Sequence, residues 1–398
     1  SFTANNPVAL YRLDGHMILA NSAALKLAGI DKNTPNIDGG EIKRNANGEP
    51  TGVLKDNAMF PVLNKIPLMT EAQKKKAIKA ASTYLLSNGV TTVHDVDSLG
   101  TFKTAYQMQK EGDLTIRIYA ANQLKNYKEL NRTSNQNSEW LSRGLLKGFV
   151  DGSLGSHTAS FKEPYSDKPE DSGFFLQPKE ELYQLISAAD KANHQITIHA
   201  IGDHAIHEQL NIYERVTDEN GTRDRRFRME HVQHLAFEDI DRLANLNIIA
   251  SMQPYHAIDD GRWAEELIGP ERIKNTYAFK ALLDANTKLI FGSDWPVAPA
   301  SPLLGIYAAT TRRTIDGKNP DGWIPEQKIS AAQALKAYTS DAAYGSFDEN
   351  HKGTLAVGKL ADFVILNKNI LKIDPVSIQD VQVLATYVGG KKMYANSQ

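Results

Sequence analysis

The sequence predicts an α/β protein built on a parallel β-sheet, and three observations support this fold class. Short apolar runs rich in β-branched residues alternate with longer segments of helical periodicity over the middle three-quarters of the chain, as in βαβ units. Several of these runs end in His or Asp, which parallel strands would collect at one end of the sheet. Beyond Gly353 the apolar period changes to two, which indicates a hairpin-like β segment.

Capping residues mark two of the predicted helices. The segment 70–73 (TEAQ) has the form of a capping box, and the helix that it starts is expected to end at Asn88-Gly89. The segment 330–333 (SAAQ) is a second capping box and begins the last helix before the β segment. Another helix has apolar residues on one side, at Leu182, Leu185, Ile186 and Ala189.

Seven apolar segments are predicted to be consecutive strands of one sheet. Each is a short run with turn-forming or polar residues on both sides, as in buried strands. In chain order they are Val90–Asp95, Ile116–Ala120, Leu145–Val150, Gln195–His199, Arg226–His231, Asn247–Met252 and Lys288–Ser293. The β tail is predicted at Leu360–Leu366, Val381–Val388 and Lys391–Tyr394.

Composition restricts the classes of function. The 398 residues include 45 Lys and Arg against 47 Asp and Glu, a formal net charge of −2, so the basic surface typical of nucleic-acid or anionic-membrane binding is not expected. No apolar run approaches the length of a membrane helix. Because Cys is absent, any metal chemistry falls to His, Asp, Glu and Lys. We expect a soluble protein that acts on a small-molecule substrate. The sequence does not fix its compartment, although the cytoplasm is slightly favoured over the periplasm.

The predicted strands end in side chains that can carry chemistry. In a barrel of parallel strands the carboxyl ends converge on one face, so such side chains point into a shared site. The bodies of the strands stay rich in Val, Ile and Leu, which indicates that the polar ends serve a catalytic face. The strand-end residues are His94, Asp95, Asp151, His199, His231 and Asp294.

Seven segments carry a resemblance to a known family, in the family's order and over nearly the whole chain. They are RLDGHMILANSAAL (12–25), GVTTVHD (89–95), LKGFVDGSLGSHTA (146–159), ITIHAIGDHAI (196–206), RMEHVQH (228–234), FGSDWPV (291–297) and GTLAVGKLADFVIL (353–366). With these segments the chain resembles the amidohydrolase superfamily, in particular the branch of YtcJ-like hydrolases and N-substituted formamide deformylases. The most specific part is the set of Lys147, His199, His231 and the Gly-Ser-Asp of 292–294.

The resemblance implies a (β/α)₈ TIM-type barrel with a small β-sandwich built from both chain ends, and metal at the carboxyl ends of the strands. Carried over by position, Lys147 would be a carbamylated lysine after family strand 4. His199 and His231 would be ligands after strands 5 and 6, and Asp294 the strand 8 aspartate. This set would hold one or two divalent ions, with Zn²⁺ expected. A metal-activated hydroxide would attack a carbonyl or amidine carbon, with Asp294 as proton shuttle.

One family feature is missing, because no His-x-His motif, which the family has at the end of strand 1, occurs in this sequence. The resemblance begins at Pro7, inside the insertion that normally follows strand 1. We expect the sequence to be a fragment of a longer protein rather than a chain completed by another, since a seven-stranded barrel would expose two sheet edges. The predicted regions are the insertion (1–65), the hydrolase barrel (66–345) and a β-sandwich portion (346–398).

Three further residues are candidate substrate contacts, each with a structural alternative. His16 belongs to the insertion and would serve equally in loop packing, His94 ends a strand, and Trp295 follows Asp294 as either pocket wall or contact. The predicted function is a metal-dependent hydrolase that cleaves a C–N bond of an amide, formamide or cyclic amide. The alternatives are a non-catalytic metal-binding or regulatory barrel, and a deaminase or isomerase with the same site. A homodimer is left open.

Overall fold

The computed structural model describes residues 3–96, 100–130 and 137–396. Antiparallel strands near the amino end form a sheet in the order β1-β2-β4-β3. They are β1 (Ala9–Tyr11), β2 (Met17–Ala20), β3 (Gly40–Arg44) and β4 (Pro50–Asp56). With helices α1 (Ser22–Ala28) and α2 (Phe60–Leu63), this sheet encloses a small core of its own around Ile18 and Leu54. It lies within the region predicted to be an insertion.

A second sheet has seven strands that pair in parallel in the order β11-β10-β9-β8-β7-β6-β5. They are β5 (Thr92–Asp95), β6 (Arg117–Gln123), β7 (Leu141–Phe149), β8 (Gln195–Ala200), β9 (Arg228–His231), β10 (Ile249–Met252) and β11 (Leu289–Phe291). Each strand lies beside the one before it in sequence, as in a TIM-type barrel. The predicted fold class is confirmed, with β5 and β11 as the two edges of the sheet.

Helices follow the strands and pack outside the sheet. They are α3 (Glu71–Ser87), α4 (Phe102–Glu111), α5 (Lys179–Lys191), α6 (Asp203–Asn220), α7 (Ile240–Asn245), α8 (Pro254–Asp260), α9 (Ala264–Arg272), α10 (Phe279–Asp284), α11 (Pro302–Thr311), α12 (Ala331–Tyr338) and α13 (Ser340–Tyr344). Both predicted capping boxes are confirmed: Thr70 with Gln73 and Ser330 with Gln333 each exchange the two expected hydrogen bonds.

Alternation along β8 shows how the core orients the site. Ile196 and Ile198 are fully buried in the main hydrophobic core with Leu182 of α5. Burying each isoleucine side chain contributes about 1.5–3 kcal/mol. Because successive strand residues point to opposite faces, Thr197 and His199 point away from the helices, towards the interior of the barrel. Packing of the apolar face therefore fixes the direction of His199.

The carboxyl-terminal strands form a third sheet, antiparallel in the order β12-β13-β14. They are β12 (Phe363–Leu366), β13 (Val383–Val388) and β14 (Lys391–Ala395). The Thr386 hydroxyl donates to the Leu86 carbonyl of α3 at 2.6 Å. The buried pair of Arg117 Nε and Asp362 Oδ2, also 2.6 Å apart, ties this sheet to β6. The predicted β tail is thus attached to the barrel by polar contacts as well as by packing.

Several strand boundaries differ from the sequence prediction, by up to four residues. β7 begins at Leu141 rather than Leu145, since Leu141 pairs with Ile118 of β6. The polar pair Ser142-Arg143 interrupts the apolar run, so the sequence pattern did not predict this start. β11 ends at Phe291, before the predicted end at Ser293. Among the described residues, the structure has no helix with both the length and the apolar character needed to cross a membrane.

Candidate active site

Four residues singled out from the sequence lie at or near the carboxyl ends of strands in the parallel sheet. Lys147 lies on β7, His199 on β8, and His231 is the last residue of β9, while Asp294 comes shortly after β11. His231 and Asp294 have left-handed backbone conformations, with φ of 79° and 58°. Such conformations are uncommon for residues other than Gly and cluster at functional sites. The chain therefore turns sharply at the two points where these side chains enter the site.

His231, His256 and Asp294 form a group of potential metal ligands, whose ligand atoms all lie within 4.8 Å of one another. His256 Nε2 is 3.9 Å from Asp294 Oδ2 and is a buried nitrogen with no hydrogen-bond partner. His231 Nδ1 donates to Gln253 Oε1 at 2.9 Å, which leaves the lone pair on Nε2. Burial lowers the pKa of His231 to about 3 and that of His256 to about 4. Two neutral imidazoles, one with an orphaned buried nitrogen, and a carboxylate are donors that fit a divalent cation.

His199 lies beside this group. Its Nε2 donates to the Gly152 carbonyl at 2.9 Å, so the lone pair of the neutral ring is on Nδ1. Its ring centroid is 4.5 Å from that of His231. Burial holds the pKa of His199 well below its usual value. His199 is therefore a neutral potential donor at the edge of the group.

Lys147 is buried in the same region, with 7% of its surface exposed. Its Nζ lies 4.6 Å from the centroid of the Phe149 ring. Burial lowers the pKa of Lys147 to about 8, against the opposing effect of the negative charges of Glu230 and Asp294. A sizeable fraction of neutral amine is therefore present at mildly alkaline pH.

A buried polar network lies beside Lys147 inside the barrel. Arg228 Nη2 donates to Glu230 Oε1 at 2.6 Å and to Ser251 Oγ at 3.1 Å. The Thr197 hydroxyl donates to the same Glu230 oxygen at 2.6 Å. Arg228 Nη1 donates to Nδ1 of His94 at 3.0 Å. His94 is thus part of this network, and its role as a substrate contact stays a prediction.

The other two predicted substrate contacts differ in their surroundings. His16 reaches it from the amino-terminal sheet, with its ring centroid 5.0 Å from that of His199. Its Nδ1 donates to Asp56 Oδ1 at 2.6 Å. Trp295 has 41% of its surface exposed, and its ring centroid is 5.5 Å from that of Tyr84. His16 is therefore placed against a potential ligand, whereas Trp295 lies at the rim.

Reasoning from the sequence missed His256 and Asp56. His256 lies on α8, four residues after the end of β10, and β10 lies between β9 and β11. The residues after this predicted strand could have been searched for a further ligand by the same argument that found His231. Asp56 had no such signal, since it meets His16 across 40 positions of sequence within a sheet that the sequence did not predict in detail.

Comparison with known proteins identifies the family. The model of the amidohydrolase family (Amidohydro_3) matches residues 2–394. The chain is 44% identical to the protein LONG AFTER FAR-RED 3 of Arabidopsis thaliana, over 98% of this chain and 69% of that protein. It is 32% identical to the putative amidohydrolase YtcJ of Bacillus subtilis, over 99% and 75%. Identity to the N-substituted formamide deformylase of Arthrobacter pascens is 28%, over 98% and 74%.

A solved structure agrees with this assignment. An uncharacterized metal-dependent hydrolase of Pyrococcus horikoshii OT3 superposes with a TM-score of 0.76 at 29% identity, over 93% of this chain and 73% of that one. The chain thus spans about seven-tenths to three-quarters of the length of these proteins. The shared barrel and the match along nearly the whole sequence lead to one conclusion. The chain belongs to the amidohydrolase family of hydrolases.

Proposed function

We propose that the protein is a metal-dependent hydrolase that cleaves the C–N bond of an amide, a formamide or a cyclic amide. The observation that carries the proposal is the grouping of His231, His256 and Asp294 within 4.8 Å at the carboxyl ends of parallel strands. Family membership supports hydrolysis, and one relative is named an N-substituted formamide deformylase. The proposed partner is therefore a small-molecule substrate.

The ligands that we propose for the metal are the predicted residues His199, His231, Asp294 and carbamylated Lys147, with His256 added. His231 offers Nε2 and His199 offers Nδ1, because the other nitrogen of each ring donates to a protein oxygen. Neutral imidazoles with a carboxylate suit Zn²⁺ in particular. One ion or two are compatible with this set, and Lys147 would add an oxygen donor only as a carbamate.

The residues divide the work of hydrolysis between them. When held by these residues, a divalent cation would make water a nucleophile near neutral pH and would polarise a carbonyl oxygen. The Asp294 carboxylate takes the proton of the attacking water and gives it to the leaving nitrogen, so that the C–N bond breaks and a neutral amine departs. Burial raises the pKa of Asp294 above its usual value, which suits a group that both accepts and releases a proton.

The carbamate on Lys147 is a separate part of the proposal. The neutral Nζ would attack CO₂, a new N–C bond would form, and one proton would be released to solvent. Burial of Lys147 favours the neutral amine that this reaction needs. A free ammonium would repel a cation bound nearby, whereas the carbamate presents anionic oxygens to it.

Metal analysis combined with an activity screen tests the proposed function. The full chain is loaded with zinc and assayed on amides, esters and carbamates, with His231→Ala as the test variant and His207→Ala as control. His207 lies on α6 and pairs with Asp239, 3.0 Å away, on the outside of the barrel. Metal and amide hydrolysis should be lost only in the His231 variant.

Other outcomes would favour the alternatives. Stoichiometric metal without turnover of any substrate would favour a non-catalytic metal-binding or regulatory barrel. Release of ammonia from an amidine-type substrate, or a product isomeric with its substrate, would favour a deaminase or an isomerase. Unchanged metal content in His231→Ala would overturn the ligand assignment.

A further inference from the structure

The amino-terminal sheet brings a histidine–aspartate pair to the candidate active site. His16 lies in the loop before β2, and Asp56 is the last residue of β4. Backbone contact also joins them, because the Asp56 N–H donates to the His16 carbonyl at 3.0 Å. Together with the side-chain bond of 2.6 Å between Nδ1 and Oδ1, this backbone bond holds the residue at two points, one of them on the ring. The sheet therefore presents this ring in a fixed orientation.

The loop after β7 is shaped to receive the sheet. The Asp14 carboxylate accepts hydrogen bonds from the hydroxyls of Ser153 and Ser156, both at 2.8 Å. A Cβ added to Gly152 would lie 2.8 Å from Asp56 Oδ2 and 1.9 Å from a hydroxyl of its own loop, so only glycine allows this approach. The same loop supplies the carbonyl that orients His199. One loop thus contacts the sheet that carries His16 and also orients a candidate ligand.

The second nitrogen of His16 is left for another partner. Nδ1 bonds to Asp56, and Nε2 forms no hydrogen bond within the described ranges 3–96, 100–130 and 137–396. Nε2 is also not fully buried, so part of its surface is accessible to a ligand. The ring contacts His199 but His16 does not belong to the metal-ligand group of His231, His256 and Asp294.

We propose that His16 binds the substrate through Nε2, by a hydrogen bond to the scissile amide group, and that Asp56 is the positioning residue that holds the ring for this contact. The inference rests on the proposed function and deepens it, since it assigns an amide-recognition contact to the amino-terminal sheet. A histidine anchored by a carboxylate at one nitrogen presents the other nitrogen in a fixed direction. Asp56 acts on the substrate only through His16.

The first test compares three variants of the zinc-loaded full chain. His16→Ala removes the contact, His16→Gln keeps a hydrogen-bonding atom close to the position of Nε2, and His207→Ala is the control outside the site. Hydrolysis of N-phenylformamide and zinc content are measured for each. His16→Ala should lower kcat/KM about 10- to 100-fold, the effect of one lost polar contact, with zinc unchanged. His16→Gln should recover part of the loss, and His207→Ala should match the wild type.

The second test separates positioning from a general structural role. Asp56→Ala should lower kcat/KM in the wild-type background but change it less than twofold in the His16→Ala background, because Asp56 acts through His16. Equal effects in the two backgrounds would overturn the role of Asp56. Loss of zinc from His16→Ala would also overturn the proposal, since it would make His16 a metal ligand.

A binding measurement distinguishes failure of this inference from failure of the proposed function. Acetohydroxamate, a small amide-like probe, is titrated into the zinc-loaded wild type and into His16→Ala by calorimetry. If no amide is hydrolysed but the probe binds about tenfold more weakly to His16→Ala, hydrolysis is refuted and the recognition contact stands. If the probe binds both proteins equally, or binds neither, the inference about His16 is overturned.

Discussion

We expect Asp151→Asn to destabilise the protein even though the two side chains have the same shape. Asp151 is fully buried after β7 and accepts three backbone hydrogen bonds. Oδ2 accepts from Ser160 at 2.8 Å and Gly202 at 2.9 Å, and Oδ1 accepts from Ile201 at 3.0 Å. One carboxylate therefore ties the loop after β7 to the residues that follow His199 on β8.

The magnitude follows from counting donors and acceptors. Asparagine replaces one acceptor oxygen by an NH₂ group, which then faces at least one backbone N–H. The less costly orientation turns the oxygen towards Ser160 and Gly202, and leaves the Ile201 N–H and the NH₂ group unpaired. At about 1–3 kcal/mol for each buried unsatisfied group, the free energy of unfolding should fall by about 2–6 kcal/mol. This is a large part of the roughly 5–15 kcal/mol that stabilises a typical protein.

Urea unfolding followed by circular dichroism measures this loss as a lower midpoint at unchanged slope. Asp31→Asn is a matched control, because Asp31 is an exposed aspartate that also accepts backbone N–H groups, from Asn33 at 2.8 Å and Thr34 at 3.1 Å. Both bonds go to Oδ1, which asparagine retains, so the change should stay within about 0.5 kcal/mol. If Asp151→Asn lowered the free energy of unfolding as little as Asp31→Asn does, the three backbone N–H donors would not explain why a carboxylate is needed at position 151.

Three further results are expected. Asp294→Asn should lower kcat about 10²- to 10⁴-fold with little change in KM, as for a lost proton carrier, and near wild-type turnover would contradict that role. Lys147→Ala should be almost inactive, and acetate or propionate should restore part of its activity. The mass spectrum of the wild type should show a CO₂ adduct on Lys147. An unmodified amine in active, metal-loaded protein would refute the carbamate. Burial raises the pKa of Asp260 from 3.8 to about 7, so the folded protein holds this proton over a range where the unfolded chain has lost it, and stability should fall as pH rises through that range. Asp260→Asn removes this titration. The urea midpoint should therefore decrease more between about pH 5 and about pH 8 in the wild type than in the variant. Equal decreases in the two proteins would exclude Asp260 as the source.

The barrel was predictable because its signals are local. β-Branched runs mark strands whichever neighbour they pair with, and the capping boxes at Thr70 and Ser330 depend on residues only three positions apart. The grouping of His231 and Asp294 also follows from a simple rule, since parallel strands present their carboxyl ends on one side. Candidate site residues at the strand ends of an α/β barrel can therefore be predicted from a single sequence.

The sheet that carries His16 was not predictable in the same way. Its contact with the barrel depends on pairs far apart in sequence, such as Asp14 with Ser153, separated by 139 positions. Nothing local distinguishes Asp56 from other acidic residues at strand ends. His256 is a different case, because its position four residues after the end of β10 is a local signal of the kind that found His231. Contacts set by tertiary packing need the folded chain to reveal them.

The backbone at the end of β9 shows why local propensity fails at this site. His231 and Val232 both have positive φ, 79° and 47°, and a β-branched residue is strongly disfavoured there. Such conformations cost about 1–3 kcal/mol each. The cost is offset because Val232 is fully buried and its N–H donates to the Ala200 carbonyl at the end of β8, 3.1 Å away. Packing against the neighbouring strand thus forces a turn that neither residue favours, and this turn is what places the His231 ring beside His199. This pair of strained residues lies at the carboxyl end of β9, where the side chains of the candidate site begin.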